Sequence, residues 1–205
     1  FFLADFSDDT GNRTPVCPRQ LLRQVIRKAE GMGFIPKFGP EFEWFNFKET
    51  PETLAEKGFQ NLTPLTPGMF GYSVLRAGLN RDYFTALMDD MLEFGVPLEG
   101  LHTETGPGVY EAAIAVTDAL SAADRSVLFK TSAKEIAYEF GVVPTFMAKI
   151  NMTLPGCSGH LHQSLWNAED NENLFYDPDD THKMSSTFKS YLAGQLQLLP
   201  ELLPF

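Results

Sequence analysis

The sequence has little cysteine and no long apolar run. Its two cysteines, Cys17 and Cys157, are far apart and lack the C-x-x-C spacing of a zinc or redox site, which fits a reducing cytosol. No segment approaches 18 consecutive apolar residues, and the first residues lack the basic start and cleavage site of a signal peptide. We therefore predict a cytoplasmic protein that neither spans a membrane nor is secreted.

Basic residues are also scarce. The chain of 205 residues has 16 Lys and Arg against 27 Asp and Glu, which gives a net charge of -11 and a pI near 4.7. Nucleic acid and anionic membranes would be repelled by most of such a surface. ATP can still bind if divalent metals bridge it to carboxylates. The sequence contains neither a Walker-type loop nor a G-x-G-x-x-G loop.

Helices and strands follow one another without a regular strand-helix-strand rhythm, which predicts an α+β fold with an antiparallel or mixed sheet and flanking helices. Apolar spacing and Gly or Pro punctuation set the boundaries. The predicted strands cover residues 1–6, 38–47, 143–151 and 160–166, with two more joined by a G-P-G turn within 96–115. The predicted helices cover residues 18–33, 80–95, 121–141 and 184–203, and residues 48–72 form an irregular excursion.

The segment GPEFEWFNF predicts a strand with two carboxylates on one face. Its alternation places Phe42, Trp44 and Asn46 on one side, and Glu41 and Glu43 on the other with Phe45 and Phe47. Two like charges on a face of a strand need cations to be stable if they are buried, and divalent metal supplies them. The alternative is a solvent-facing edge strand, where two glutamates at this spacing are common.

A second motif, HTETGPGVYE, holds His102, Glu104 and Glu111. The G-P-G turn could fold the chain back so that Glu111 approaches Glu104. Convergent acids suit hard cations such as Mg²⁺ or Mn²⁺. The alternative is an ordinary charged hairpin.

The third motif, PGCSGHLHQSLW, places His160, His162 and Ser164 on one face of a strand. The chain has only four histidines, and three of them fall in these motifs. An imidazole beside carboxylates can ligate a divalent ion or, when protonated, contact phosphate. The alternative is a pair of hydrogen-bonded histidines without a ligand.

The three motifs together resemble the sequence hallmarks of the glutamine synthetase family. GPEFEWFNF, HTETGPGVYE followed by DALSAADRSVLFK, and GCSGHLHQSLW occur in the family's order and at these separations, and PVCPRQLL and VVPTFMAK match as well. The resemblance implies one piece of a catalytic domain, a half barrel spanning residues 1–205. It also implies that the family's N-terminal β-grasp domain and the C-terminal half of its catalytic domain lie outside this sequence.

The resemblance also implies a role for each matching position. Three catalytic acids hold one Mg²⁺ or Mn²⁺ near the glutamate and ammonium sites, namely Glu43, Glu104 and Glu111. Glu41 and His160 hold a second ion, next to the ATP phosphates. Glu99, His162 and Ser164 contact ATP, whereas Gly156 and His160 contact the amino-acid substrate.

The implied activity is an ATP-dependent ligation of glutamate with ammonia through γ-glutamyl phosphate. The family places such sites between subunits of a homo-oligomeric double ring, so we expect the segment alone to be inactive. Pro155 stands where the family commonly has an asparagine that helps to hold the amino acid. Two alternatives therefore stay open: a γ-glutamyl amide synthetase that uses a polyamine or other amine, and a structural, lengsin-like member without catalysis.

Overall fold

A computed structural model describes residues 2–203, which form a six-stranded sheet with six helices. The helices are α1 (Pro18–Gly31), α2 (Pro51–Glu56), α3 (Val74–Leu79), α4 (Arg81–Glu93), α5 (Ala119–Glu139) and α6 (Ser186–Leu202). The strands are β1 (Phe34–Phe47), β2 (Leu98–Thr103), β3 (Val109–Ile114), β4 (Thr117–Asp118), β5 (Val143–Thr145) and β6 (Gly159–Asn167). None of the described helices is long and apolar enough to cross a membrane.

The chain divides into two compact units. One unit holds the residues up to Phe38, residues 118–120 and the residues from Gln163 onward, and the other holds 39–117 and 121–162. In the second unit β1 is antiparallel to both β3 and β5, β2 is antiparallel to β3, and β6 also pairs with β1. The predicted α+β fold with an antiparallel sheet is confirmed.

The core of the second unit lies against one face of β1, as the alternation predicted. Trp44 is fully buried, and its ring lies 5.5 Å from the ring of Phe129 on α5. Helix α4 buries Tyr83, Leu87 and Met91 on one face, and Phe84 packs against the same core. The opposite face of β1 is left for Glu41 and Glu43, with Phe45 and Phe47 packed in a smaller cluster beyond them.

The first unit is held partly by aromatic contacts around α6, which confirms the predicted closing helix. The ring of Phe175 lies 5.0 Å from Phe188 and 5.2 Å from Tyr191. The Tyr191 hydroxyl donates to Gln163 Oε1 at 2.5 Å, which ties the helix to β6. Ser185 caps the helix by accepting a hydrogen bond from the backbone N–H of Phe188.

Two predicted strands are wrong in whole or in part. Residues 2–6 form no strand, because Phe2 and Phe6 are exposed and Asp5 instead pairs with Arg19 on α1 at 2.6 Å; Phe1 lies outside the described residues. The strand predicted over 143–151 is only three residues long. It ends because the chain turns, so that the carbonyl of Ala148 accepts from the N–H of Cys157.

The excursion over residues 48–72 contains one helix that the sequence interpretation missed. Helix α2 begins after Thr50 with a reciprocal capping box, in which Thr50 and Thr53 each accept from the other's backbone N–H. Pro51 occupies the first turn, where a missing N–H costs nothing. A proline in a first helical turn and a proline in a loop look alike in the sequence, so Pro51 gave no sign of this helix.

Candidate active site

Acidic and imidazole side chains converge on the face of the sheet opposite the main core. We call them the acidic cluster; its members are Glu41, Glu43, His102, Glu104, Glu111 and His160. Glu111 on β3 is paired with Glu43 on β1 and with His102 on β2. Residues directly opposite in antiparallel strands point to the same face, so these three side chains form a row across the sheet.

The G-P-G turn brings Glu104 into this cluster, as predicted. The backbone N–H of Glu104 bonds to the carbonyl of Val109 at 2.8 Å, and Gly106 and Gly108 both have positive φ. One ligand atom each from His102, Glu104 and Glu111 lies within 4.8 Å of the others. The hairpin therefore presents three possible metal ligands at one point.

A second group of possible ligands joins β1, β3 and β6. Nδ1 of His160 lies 3.0 Å from Glu41 Oε2 and 3.7 Å from Glu111 Oε1. Because a carboxylate can only accept, the ring donates to Glu41. Glu41, Glu111 and His160 thus form a second triad of ligand atoms within 4.8 Å, and Glu111 belongs to both triads.

Glu111 is the buried acid of the cluster, with 6% of its surface exposed, and its neighbours affect its pKa. Burial, together with the nearby carboxylate of Glu41, raises the pKa of Glu111 to about 7, although His102 opposes the shift. Burial also works against ionisation of Glu41, but hydrogen bonds from His162 and His160 outweigh it and lower the pKa of Glu41. Burial therefore disfavours the charged form of Glu111 unless a cation lies beside it.

The two carboxylate oxygens of Glu104 are unequally satisfied in the described part of the chain. Its Oε1 accepts the backbone N–H of Thr105 at 2.6 Å, whereas Oε2 is buried and lacks a hydrogen-bond partner at normal geometry within residues 2–203. Burial opposes ionisation, yet the Thr105 N–H and the nearby Tyr72 hydroxyl lower the pKa of Glu104. A buried ionised oxygen without a partner is costly in a protein unless a cation or other group satisfies it.

Glu43 belongs to neither triad, and Ser158 holds its carboxylate on the same face of the sheet. The Ser158 hydroxyl donates to Glu43 Oε1 at 2.6 Å, and the Ser158 backbone N–H donates to Oε2 at 3.2 Å. The resemblance grouped Glu43 with Glu104 and Glu111 around one ion. The structure places Glu43 in their row on the sheet, and both of its carboxylate oxygens accept hydrogen bonds from Ser158, which lies just before β6.

Four predicted site residues remain to be placed, namely Glu99, Gly156, His162 and Ser164. His162 joins the cluster, because its Nε2 lies 3.3 Å from Glu41 Oε2. Glu99 is exposed at a register irregularity of β2. Gly156 lies in the loop before β6, where a Cβ would come within 2.4 Å of the Ala148 carbonyl oxygen, so no side chain fits there. Ser164 belongs to the first unit, where its hydroxyl accepts from Trp166 Nε1 at 2.9 Å.

Tyr72 and Ser158 are neighbours of the cluster that the sequence interpretation did not include. The ring centroid of Tyr72 is 4.8 Å from that of His102, and the Glu104 carboxylate raises the pKa of the Tyr72 hydroxyl. Tyr72 has φ 55, and its N–H bonds to the carbonyl of Thr103. A tyrosine in an irregular segment 30 residues from its partner gives no periodic pattern by which to find it.

The chain matches a known protein family over most of its length. A family description, the catalytic domain of glutamine synthetase, matches residues 15–205. The chain belongs to the glutamine synthetase family.

Particular relatives extend this assignment. The chain is 52% identical over 204 residues to type-1 glutamine synthetase 2 of Dictyostelium discoideum, covering 100% of this chain and 39% of that one. It is 32% identical to a glutamate–isopropylamine ligase of a Pseudomonas species, covering 98% and 43%. A solved structure of a glutamine synthase homolog matches with a TM-score of 0.82 at 23% identity, covering 96% and 42%, and supports the fold alone. The chain thus spans about two fifths of the length of these relatives.

Proposed function

We propose that this protein is a cytoplasmic ligase that makes glutamine from glutamate and ammonia with ATP. The observation that carries the proposal is the acidic cluster, in which Glu41, Glu104 and Glu111 converge with His102 and His160. Among the described residues, Glu104 Oε2 has no hydrogen-bond partner at normal geometry. A purely structural protein has no use for such a repulsive group of buried and half-buried acids. The 52% identity to a type-1 glutamine synthetase supports the same activity.

The residues of the cluster fit Mg²⁺ or Mn²⁺. Carboxylate oxygens suit both ions and imidazole nitrogen suits Mn²⁺. One ion would be held by Glu104 and Glu111 with Glu43 or His102, and a second by Glu41 and His160 with Glu111. Bound there, the two ions would neutralise the phosphates of ATP and the charge on the transferring phosphoryl group.

The chemistry has two steps. The γ-carboxylate of glutamate attacks the γ-phosphorus of ATP, forms γ-glutamyl phosphate and releases ADP. Ammonia then attacks the acyl carbon and expels inorganic phosphate. The negative charge of Glu43, Glu104 and Glu111 would attract ammonium and accept its proton before the second step. We assign ATP contacts to Glu99, His162 and Ser164, and glutamate contacts to Gly156 and His160.

The test is glutamate-dependent ATP hydrolysis by the full-length protein with Mg²⁺ or Mn²⁺ and with ammonium. We expect phosphate release to require glutamate, amine and metal together, and glutamine to form in equal amount. Full-length protein matters because the family builds its sites between subunits of a double ring, an assembly we propose here too. Mn²⁺ binding without glutamate-dependent turnover on any amine would leave the structural, lengsin-like role.

A second candidate is a ligase that forms a γ-glutamyl amide with another amine. Pro155 favours it, because proline lacks the side-chain amide that the family commonly has at this position of the loop, and the 32% identical isopropylamine ligase shows a relative of that specificity. Assaying ammonium, isopropylamine, ethanolamine and putrescine side by side separates the two candidates. The amine with the highest kcat/KM identifies the acceptor.

A further inference from the structure

We propose that Ser158 is a positioning residue that fixes the carboxylate of Glu43 for the metal site. The inference rests on the proposed function, since it concerns the same acidic cluster. Its basis is the pair of hydrogen bonds that Ser158 gives to the two oxygens of Glu43, 2.6 Å from the hydroxyl and 3.2 Å from the backbone N–H.

Ser158 itself has little freedom to move. The residue before it, Cys157, is buried against Phe45, Phe47 and Val109 in the smaller apolar cluster. The carbonyl of Ser158 accepts from the N–H of Glu43 at 3.2 Å. Ser158 is therefore anchored on one side by apolar packing and on the other by strand pairing with the residue it holds.

Two glycines allow the loop to come this close to β1. A Cβ at Gly156 would lie 2.4 Å from the carbonyl oxygen of Ala148, and one at Gly159 would lie 3.2 Å from that of Glu41. Larger residues would push the loop away and lengthen the Ser158–Glu43 hydrogen bonds. The P-G-C-S-G sequence thus holds the Ser158 hydroxyl in a fixed position next to the Glu43 carboxylate.

Fixing Glu43 matters because this carboxylate has a like charge directly opposite. Glu43 and Glu111 are register partners, so their carboxylates lie on the same face of the sheet next to that of Glu41. A freely rotating Glu43 would relieve this repulsion by turning to solvent. Hydrogen bonds from Ser158 keep it beside the cluster, which preorganises the negative charge that a divalent cation requires.

The test measures Mn²⁺ alone, without substrates, on the full-length protein by calorimetry or by the electron paramagnetic resonance signal of free Mn²⁺. We expect Ser158→Ala to weaken Mn²⁺ affinity about tenfold, because hydrogen-bond partners of ligating carboxylates typically contribute 10- to 100-fold and the backbone N–H bond remains. Ser158→Thr keeps the hydroxyl and should retain affinity within about threefold. Ser190→Ala, an exposed serine on α6, is the matched control and should change nothing.

The outcomes separate this inference from the proposed function. If Glu104→Ala abolishes Mn²⁺ binding while Ser158→Ala binds as wild type, Ser158 has no positioning role and the proposed function stands. Equal loss in Ser158→Ala and Ser158→Thr also overturns the inference, because the hydroxyl would then not be the cause. Wild-type protein that binds no Mn²⁺ overturns both. Circular dichroism of each variant detects a folding defect, which would show a structural role for Ser158 instead.

Discussion

Glu43 and Glu111 stand directly opposite each other on β1 and β3, with their side chains on the same face of the sheet. Like charges in such a pair destabilise a sheet, and here Glu41 and Glu104 add to the repulsion. The main core on the other face of β1, around Trp44, supplies the stability that tolerates this arrangement. The cluster is therefore a site where binding of a cation and stability of the fold are linked.

The first prediction follows from that linkage. Mn²⁺ or Mg²⁺ should stabilise the protein against urea, by about 2.7 kcal/mol at a concentration 100 times the dissociation constant. Glu104→Ala should remove most of this gain, because it deletes one of three converging ligand groups, the other two being His102 and Glu111. Equilibrium unfolding in urea, with and without metal, measures this gain in the free energy of unfolding. Glu172→Ala, which changes an exposed glutamate of the first unit, should keep the full gain, and a loss there would point to nonspecific binding.

The second prediction concerns Asn46, a fully buried polar residue beneath the site. Its Oδ1 accepts from Trp44 Nε1 and from the Tyr83 hydroxyl, both at 2.9 Å, and its Nδ2 donates to the Gly108 carbonyl at 3.1 Å. Asn46→Leu should destabilise the protein by about 3 kcal/mol, because two buried donors lose their acceptor. Tyr83→Phe removes one donor and leaves Asn46 bonded to Trp44, so we expect only about 1 kcal/mol. Similar urea midpoints for both variants would contradict this account.

The sequence predicted the half of the site that follows from strand periodicity. Glu41 and Glu43 are two residues apart in an alternating segment, so their shared face follows from the pleat alone. Glu104 and Glu111 flank a G-P-G turn, so their approach follows from hairpin geometry. Strand alternation and turn geometry depend only on neighbouring residues, so the sequence predicts both pairs. The structure shows both pairs as predicted.

What the sequence could not predict depends on contacts between distant segments. Ser158 meets Glu43 only because Cys157 is buried and β6 pairs with β1, 115 residues away in the chain. Tyr72 reaches His102 from an irregular segment in a left-handed conformation. The wrong strand at residues 2–6 has a similar origin, because the pairing of Asp5 with Arg19 and Arg23 overrides an apolar pattern.

The third prediction tests the turn that delivers Glu104. Gly108 has φ +75, and a Cβ there would lie 2.3 Å from the carbonyl oxygen of Asn46. Gly108→Ala should therefore destabilise the protein by more than about 2 kcal/mol and weaken Mn²⁺ binding, since backbone must move beside Glu104. Gly78→Ala is the matched control, because Gly78 lies in α3 with open space around its Cβ position. It should be neutral or stabilising by up to about 1 kcal/mol, and an equal loss in both variants would rule out the steric explanation.

The last prediction uses Glu49, a buried carboxylate at the end of β1 that plays no part in the cluster. It accepts from Lys57 Nζ at 2.5 Å, from the Thr63 N–H at 2.7 Å and from the Thr53 hydroxyl at 2.8 Å. The hydrogen bond from Lys57, with those from Thr63 and Thr53, lowers the pKa of Glu49 to about 2. Because the folded state binds this proton less readily than the unfolded chain, Glu49 stabilises the protein above the ordinary glutamate pKa of about 4.3.

That stabilisation should disappear as the pH falls from about 4.5 toward 2. The difference in unfolding free energy between wild type and Glu49→Gln should accordingly be largest near neutral pH and shrink steadily below about pH 4.5. Urea titrations of wild type and Glu49→Gln between pH 3 and 7 measure this difference in unfolding free energy. Glu56→Gln changes an exposed glutamate at the end of α2 and serves as the control, with a small difference at every pH. A Glu49→Gln difference that stays constant from pH 7 to pH 3 would show that shape and packing, and not the charge of Glu49, stabilise this corner of the fold.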